Sequence, residues 1–463
     1  MAEIMADEPL TTLTATEAAA GIARGRFSIE EYSRACLGRI DALDTEINAF
    51  AHLDREHALA QARALDERRA ERRSSGPLYG VPVAVKDIID TSDYSTELGS
   101  PLAKGRRPRS DATVVARLRA GGAVIIGKTV TTEFAYYHPG PTRNPHDHAR
   151  TPGGSSSGSA AAVAANMVPV ALGSQTNGSV IRPGAFCGVF AMKPSYGLIS
   201  RAGVLQLSRK LDHIGIFARS LSDLALVLEV IAGHDPADPD SEPFAAPDFH
   251  ALQNAPPPRP PRFAFVRTPV WEKAENETKA AFEELIKALG PAVEQVDLPG
   301  SFRDAWDVHR TIMSVDMAHN LAPFFAHGEP SEAMRKLLAH AEKIGALDYL
   351  AALGEAQRLA AGLTGIFDGC DAIITPATPG VAPKGLGSTG DPVFCTLWTL
   401  SGLPSLTLPL LAGSSGLPLG VQIVGPPGRD GRLLQTATAL IEMLREAKRR
   451  SQPRIEGDAE RHR

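Results

Sequence analysis

Between Arg150 and Arg182 the chain runs 31 residues without an ionisable side chain: TPGGSSSGSAAAVAANMVPVALGSQTNGSVI. The stretch is long enough to cross a bilayer, but its glycines, serines, prolines and amides make it a poor membrane span. It is flanked by apolar segments and runs into an alanine-rich helix start, which argues for a place in the folded body rather than a linker. It opens on a Gly/Ser cluster at 153–159 and closes on Asn177-Gly178-Ser179. Hydroxyls, pliable backbone and no nearby charge are what a serine nucleophile beside an oxyanion hole requires.

About 70 residues upstream, Lys86 follows the apolar run Val81-Pro82-Val83-Ala84-Val85. Desolvation lowers a lysine pKa and turns the amine into a base near neutral pH. If the strand continues, Lys86 and Asp87 point to opposite faces, so Asp87 need not neutralise the amine. No histidine sits in a nucleophile-elbow or trypsin-like context. The letters GxSxG do occur at Gly154-Ser155-Ser156-Ser157-Gly158, but no strong apolar strand leads into them, and a Gly/Ser-rich run makes such a match easily. The pieces point to a serine hydrolase whose base is lysine.

The rest of the chain narrows the class. With 48 basic and 53 acidic residues the net charge is −5, so there is no basic field for nucleic acid. Four widely spaced cysteines, Cys36, Cys187, Cys370 and Cys395, show no CxxC pairing and argue against a zinc ribbon or a disulfide framework. The acidic start MAEIMADEPL lacks the pattern of a signal peptide, and a cytoplasmic enzyme with no membrane association is expected. His146-Asp147-His148 lies in a turn-like stretch and is not expected to hold a metal.

Residues 15–75 read as helices; Leu37, Ile40, Leu43 and Ile47 follow helical spacing. Short apolar runs at 81–85, 123–126 and 168–172 then alternate with helices, one of them N-capped by Asp111 and stopped by Gly121-Gly122. Strands are expected again at 263–266, 293–297, 371–375, 404–411 and 419–424. Helices are expected at 273–289, 303–322, 331–368 and 431–447. This alternation predicts an α/β fold with a large mixed, mainly parallel sheet covered on both faces by helices. The organisation expected is one domain over 1–463, with a core at 77–235, a surface connection at 236–262 that holds nine prolines, and a more helical insertion at 263–400.

Residues 80–90, GVPVAVKDIID, resemble the lysine segment of the amidase signature family. PGGSSSGS at 152–159 and LGSQTNGSVIRPGAFCGVFAMKP at 172–194 resemble its serine- and glycine-rich signature. The resemblance covers 15–235 and returns at 371–379 and 402–425. In detail it is closest to bacterial malonamidase-like amidases, and it extends to the A subunit of glutamyl-tRNA amidotransferase.

The resemblance implies a Ser-cisSer-Lys triad: Ser179 as nucleophile, Ser155 as the serine after a cis peptide bond, and Lys86 as base. The backbone amides of Thr176, Asn177, Gly178 and Ser179 would form the oxyanion hole. It implies hydrolysis of a small carboxamide to acid and ammonia or amine through an acyl-enzyme, without metal or cofactor. An ester, carbamate or biuret-type hydrolase would use the same triad, and an amidotransferase A subunit would need partner subunits. The expected partner is a small amide substrate, with a homodimer as the candidate assembly. Arg182 falls where malonamidase-like members bind a substrate carboxylate; the other reading of Arg182 is an internal brace of the loop. Many members have glycine where this chain has Asn177, a residue that tolerates positive φ if the position demands it.

Overall fold

The computed structural model describes residues 9–71, 76–244, 247–326 and 328–451. The acidic start up to residue 8 lies outside them. The apolar runs become strands, and together with several that carry no such signal they build one sheet. These are β1 (Phe50–Leu53), β2 (Pro82–Lys86), β3 (Val124–Thr129), β4 (Val170–Gln175), β5 (Phe190–Lys193), β6 (His213–Ala218), β7 (Phe263–Arg267), β8 (Val293–Asp297), β9 (Ala372–Pro376), β10 (Ser405–Ala412) and β11 (Pro418–Val424). Among the described residues they form an 11-stranded mixed sheet in the order β1-β3-β2-β4-β6-β5-β10-β11-β9-β7-β8.

Parallel pairing is confined to two places, β3-β2-β4 and β9-β7-β8. The centre, β4-β6-β5-β10-β11-β9, is antiparallel. The parallel share is thus smaller than the alternation of strands and helices suggests. β5 and β6 are joined without an intervening helix, so they pair antiparallel. The first six strands in this order all come from residues before 219 and the last five from residues after 262. The two groups meet at one pairing, β5 against β10, with Lys193 opposite Ser405 and Ala191 opposite Thr407.

Both faces are covered. Val83 and Val85 of β2 enter one apolar cluster and Ala84 enters another, the two-residue alternation of a strand buried on both sides. The N-terminal helices Ala15–Ala23 and Ile29–Ile47 start in capping boxes, Thr14 with Glu17 and Ser28 with Glu31; a cap of this kind stabilises by about 1 kcal/mol. Three local expectations change. β1 interrupts the helical region 15–75, and it pairs with β3. The helix Thr113–Ala120 has Ala112 at its N-cap; Asp111 instead accepts from the Ser92 amide and hydroxyl and pairs with Arg119. The span 331–368 divides into Glu332–Ala341 and Ala346–Thr364, because Gly345 starts a new helix with its N–H on the Asp348 carboxylate.

Candidate active site

Lys86 is the last residue of β2 and is fully buried, at 0% exposure. Its Nζ lies 2.7 Å from Ser155 Oγ and donates to Ser174 Oγ at 2.8 Å. Among the described residues no carboxylate forms an ion pair with it. Asp87, on the next residue, is engaged by Lys128 Nζ at 3.4 Å. Burial holds the Lys86 amine well below the usual lysine range, and the negative charge of Asp212 only partly opposes this. Enclosure pushes the Asp212 carboxyl itself up to about 6; it accepts from Thr176 Oγ1 at 2.6 Å and from the Leu207 and Ser208 amides. A neutral amine keeps one lone pair and two N–H bonds, so Lys86 can take a proton from Ser155 while it donates to Ser174.

Ser155 follows a cis peptide bond at Gly154-Ser155. The serines after it tie the loop to the sheet. Ser156 Oγ bonds both the carbonyl and the amide of Ser174, Ser157 Oγ donates to the Val130 carbonyl, and Ser159 Oγ donates to the Leu172 carbonyl. Ser156, the central serine of the GxSxG letters, is fully buried in this role. A Cβ on Gly158 would lie 2.1 Å from the Ala49 carbonyl oxygen and 2.5 Å from the Val130 amide nitrogen, so only glycine lets the helix Ser157–Ala164 sit this close to the start of β1 and the end of β3.

Ser179 lies in the turn between β4 and the helix Ile181–Cys187. The side-chain oxygen of Gln175 accepts from the Val180 and Ile181 amides, and its Nε2 donates to Thr399 Oγ1. The preceding amides, of Thr176, Asn177, Gly178 and Ser179, have no acceptor among the described residues. Such a run of unsatisfied N–H groups in a cleft suits an anionic oxygen. Asn177 does not adopt a positive φ, so no special backbone tolerance is asked of it. Its side chain accepts from Thr396 Oγ1 at 2.7 Å and donates to the Tyr137 hydroxyl at 3.3 Å.

One cleft brings Ser155, Thr176, Asn177, Ser179 and Arg182 together, and it is walled by Tyr136, Tyr137, Leu207, Met313 and Met317. Tyr136 and Tyr137 therefore face it, whereas Phe134 packs against Phe324 and Phe325 and Trp398 is buried in the core. Arg182, 2% exposed, donates to Gly390 O at 2.8 Å, to Gly154 O at 2.6 Å and to Thr389 Oγ1 at 3.1 Å. Its Nε is buried without an acceptor among the described residues. His146, Asp147 and His148 turn to separate partners, Cys187 O, Arg150 and Glu46.

Ser174, Asp212, His309 and Thr399 carry no sequence signal of their own, yet they contact Lys86, Thr176 or Asn177. Of the four, Ser174 lies within one of the quoted signature segments, 172–194.

The family model described as Amidase matches residues 31–434. The chain belongs to the amidase signature family. Within that family it is 37% identical to the A subunit of a glutamyl-tRNA(Gln) amidotransferase of Salinispora arenicola (strain CNS-205), over 93% of this chain and 97% of the relative. A solved chain described with a vestigial protein complex that reveals the origins of an s-triazine catabolic enzyme superposes with a TM-score of 0.86 at 30% identity, covering 93% of this chain and 98% of that one. The native peptide amidase of Stenotrophomonas maltophilia superposes with a TM-score of 0.82 at 31% identity, covering 94% and 98%. No helix among the described residues is long and apolar enough to cross a membrane.

Proposed function

We propose that the chain hydrolyses a carboxamide through an acyl-enzyme on Ser179. The observation that carries this reading is the buried Lys86–Ser155 contact at 2.7 Å, in the cleft that also holds Ser179 and the unpaired amides. Neutral Lys86 takes the Ser155 proton as Ser155 takes that of Ser179. Ser179 Oγ attacks the amide carbon, and the amides of 176–179 hold the oxygen that becomes negative; one well-placed donor contributes about 3–4 kcal/mol. The C–N bond then breaks, with the relayed proton delivered to the leaving nitrogen, which departs as ammonia or an amine. Water repeats the sequence on the ester and releases the carboxylic acid. Each step draws on groups of the chain, the substrate and one water.

Two observations bear on the substrate. The cleft walls are methionine, leucine and tyrosine, which favours an acyl group with apolar surface. Arg182 already has three acceptors, and we read it as a brace that joins the Gly154 carbonyl to the 389–390 loop. Its Nε without an acceptor, and burial that outweighs the opposing charge of Asp391, are what favour the other role, a carboxylate anchor.

A second reading rests on the relatives: their identity over nearly the whole chain favours the A subunit of a glutamyl-tRNA(Gln) amidotransferase, in which the released nitrogen is passed on within a complex. Purified alone, a free-standing amidase turns over simple amides, whereas the amidotransferase component gains activity only with co-purifying partners. Both readings share the nucleophile. A fluorophosphonate should label Ser179, as mapped by mass spectrometry, and Ser179→Ala should abolish the label with the fold intact. Labelling of another residue, with Ser179→Ala still active, would remove the common basis of both.

A further inference from the structure

We propose that His309 and Thr399 are positioning residues that aim the amides of Asn177 and Gly178 into the cleft; the inference rests on the role of these amides in the reading above. A trans peptide unit is planar, and its C=O and N–H point in opposite directions. A group that fixes the carbonyl of one residue therefore fixes the direction of the next residue's N–H.

The loop 176–179 has such anchors on its outer side. His309 Nε2 donates to the Thr176 carbonyl at 2.9 Å, and the same peptide unit carries the Asn177 N–H. Thr399 Oγ1 donates to the Asn177 carbonyl at 2.5 Å, and that unit carries the Gly178 N–H. Both amides lack an acceptor among the described residues. His309 is 1% exposed and Thr399 is fully buried, so both donors reach the loop from the protein interior.

The donors do not depend on pH in the working range. Burial pushes the His309 imidazole down to about 4, against the pull of the Thr176 carbonyl. A carbonyl only accepts, so the neutral ring carries its proton on Nε2. Asp212 holds the Thr176 hydroxyl and leaves its carbonyl to His309; Asp307 and Asp391 line the outer surface beside His309 and Asn177. His309 projects from the helix Ala305–Phe325, and Met313 and Met317, one and two turns further on, wall the cleft. The helix that shapes the pocket also sets the direction of the loop's amides.

The test compares His309→Leu, His309→Gln and Thr399→Val with the wild type. Glutamine keeps an N–H₂ donor, leucine keeps bulk alone, and valine matches threonine in shape without the hydroxyl. Losing a whole oxyanion donor costs about 10²–10³ in kcat, so misaiming one should cost His309→Leu and Thr399→Val roughly 10–100-fold in kcat. KM should change little, because the amides act on charge that develops after binding. His309→Gln should recover most of the rate, and its pH profile should keep the wild-type shape.

Wild-type labelling of Ser179 by the fluorophosphonate is scored first. Failure there overturns the nucleophile, and success followed by unaltered kcat in His309→Leu and Thr399→Val overturns only the positioning role. Equal losses in His309→Gln and His309→Leu at unchanged melting temperature would also overturn it, as would a defect confined to KM. If His309→Leu does not fold, Thr399→Val decides the question on the neighbouring peptide unit.

Discussion

Removing the Ser174 hydroxyl should move the acid limb of the pH–rate profile toward lower pH while leaving the nucleophile untouched. Ser174 Oγ accepts from Lys86 Nζ at 2.8 Å in buried surroundings. A hydrogen bond to a charged group contributes about 1.5–3 kcal/mol and one between neutral groups about 0.5–1.5 kcal/mol. Ser174→Ala therefore costs the ammonium form roughly 1 kcal/mol more than the amine. At about 1.4 kcal/mol per pH unit, the limb should move by about 0.7 pH unit.

With the neutral amine as the proposed base, kcat/KM should rise with pH through the titration of Lys86 and level above it. Burial already lowers that titration, and losing an acceptor for the ammonium lowers it further. The plateau should fall about tenfold, because an amine that has lost one anchor is a weaker base and less well aligned with Ser155. The assay is kcat/KM on a chromogenic amide from about pH 5 to about pH 10, a range that brackets a depressed lysine, with Lys86→Ala as the blank. A limb that stays in place, or moves toward alkali, would refute the role given to Ser174 and with it the reading of Lys86 as a base that works unprotonated.

Arg182→Gln should lower kcat/KM for acidic and neutral amides of equal size by the same factor and lower the melting temperature, since three of its donors hold the Gly154, Gly390 and Thr389 oxygens. A loss confined to acidic amides would establish a substrate-carboxylate anchor instead. Gly178→Ala would bring a Cβ to 2.8 Å from Pro392 Cβ and 3.1 Å from Cys395 Cβ. Overpacking of this kind costs about 1–3 kcal/mol, and here it should push the loop off its anchors, cutting turnover at least tenfold. A variant with wild-type turnover would show that the loop's close seat on Pro392 and Cys395 has no bearing on rate.

The sequence carries the site where the chemistry is local. Lys86, Ser155 and Ser179 stand in long, unusual motifs, and the absence of charge from 151 to 181 marks the environment that they need. Ser174 escapes notice because one more serine in a serine-rich stretch carries no signal until its neighbours in space are known. His309 and Thr399 lie 133 and 222 residues from the carbonyls they bond, and nothing near them in the chain distinguishes them from an ordinary helix histidine or a buried threonine. The fold follows the same rule. Continuous apolar runs such as 81–85 read directly as buried strands, whereas β1 has only four residues between two strong helices. It exists because β3 offers it a ladder of hydrogen bonds, and pairing of this kind outweighs local propensity.

The single junction between β5 and β10 has a consequence for how activity can be divided. Lys86, Ser155 and Ser179 all belong to the chain before residue 219, and the side chains that steer the Asn177 and Gly178 amides belong to the chain after residue 262. A polypeptide cut within the proline-rich stretch between them would leave the proposed triad on one piece and the proposed steering groups on the other. Turnover would then depend on the two pieces reuniting along this edge, with Lys193 across from Ser405, and through the packing of the helix Ile181–Cys187 on β10 and β11. That makes the enzyme a natural starting point for a split reporter, in which the recovered rate counts reunited seams.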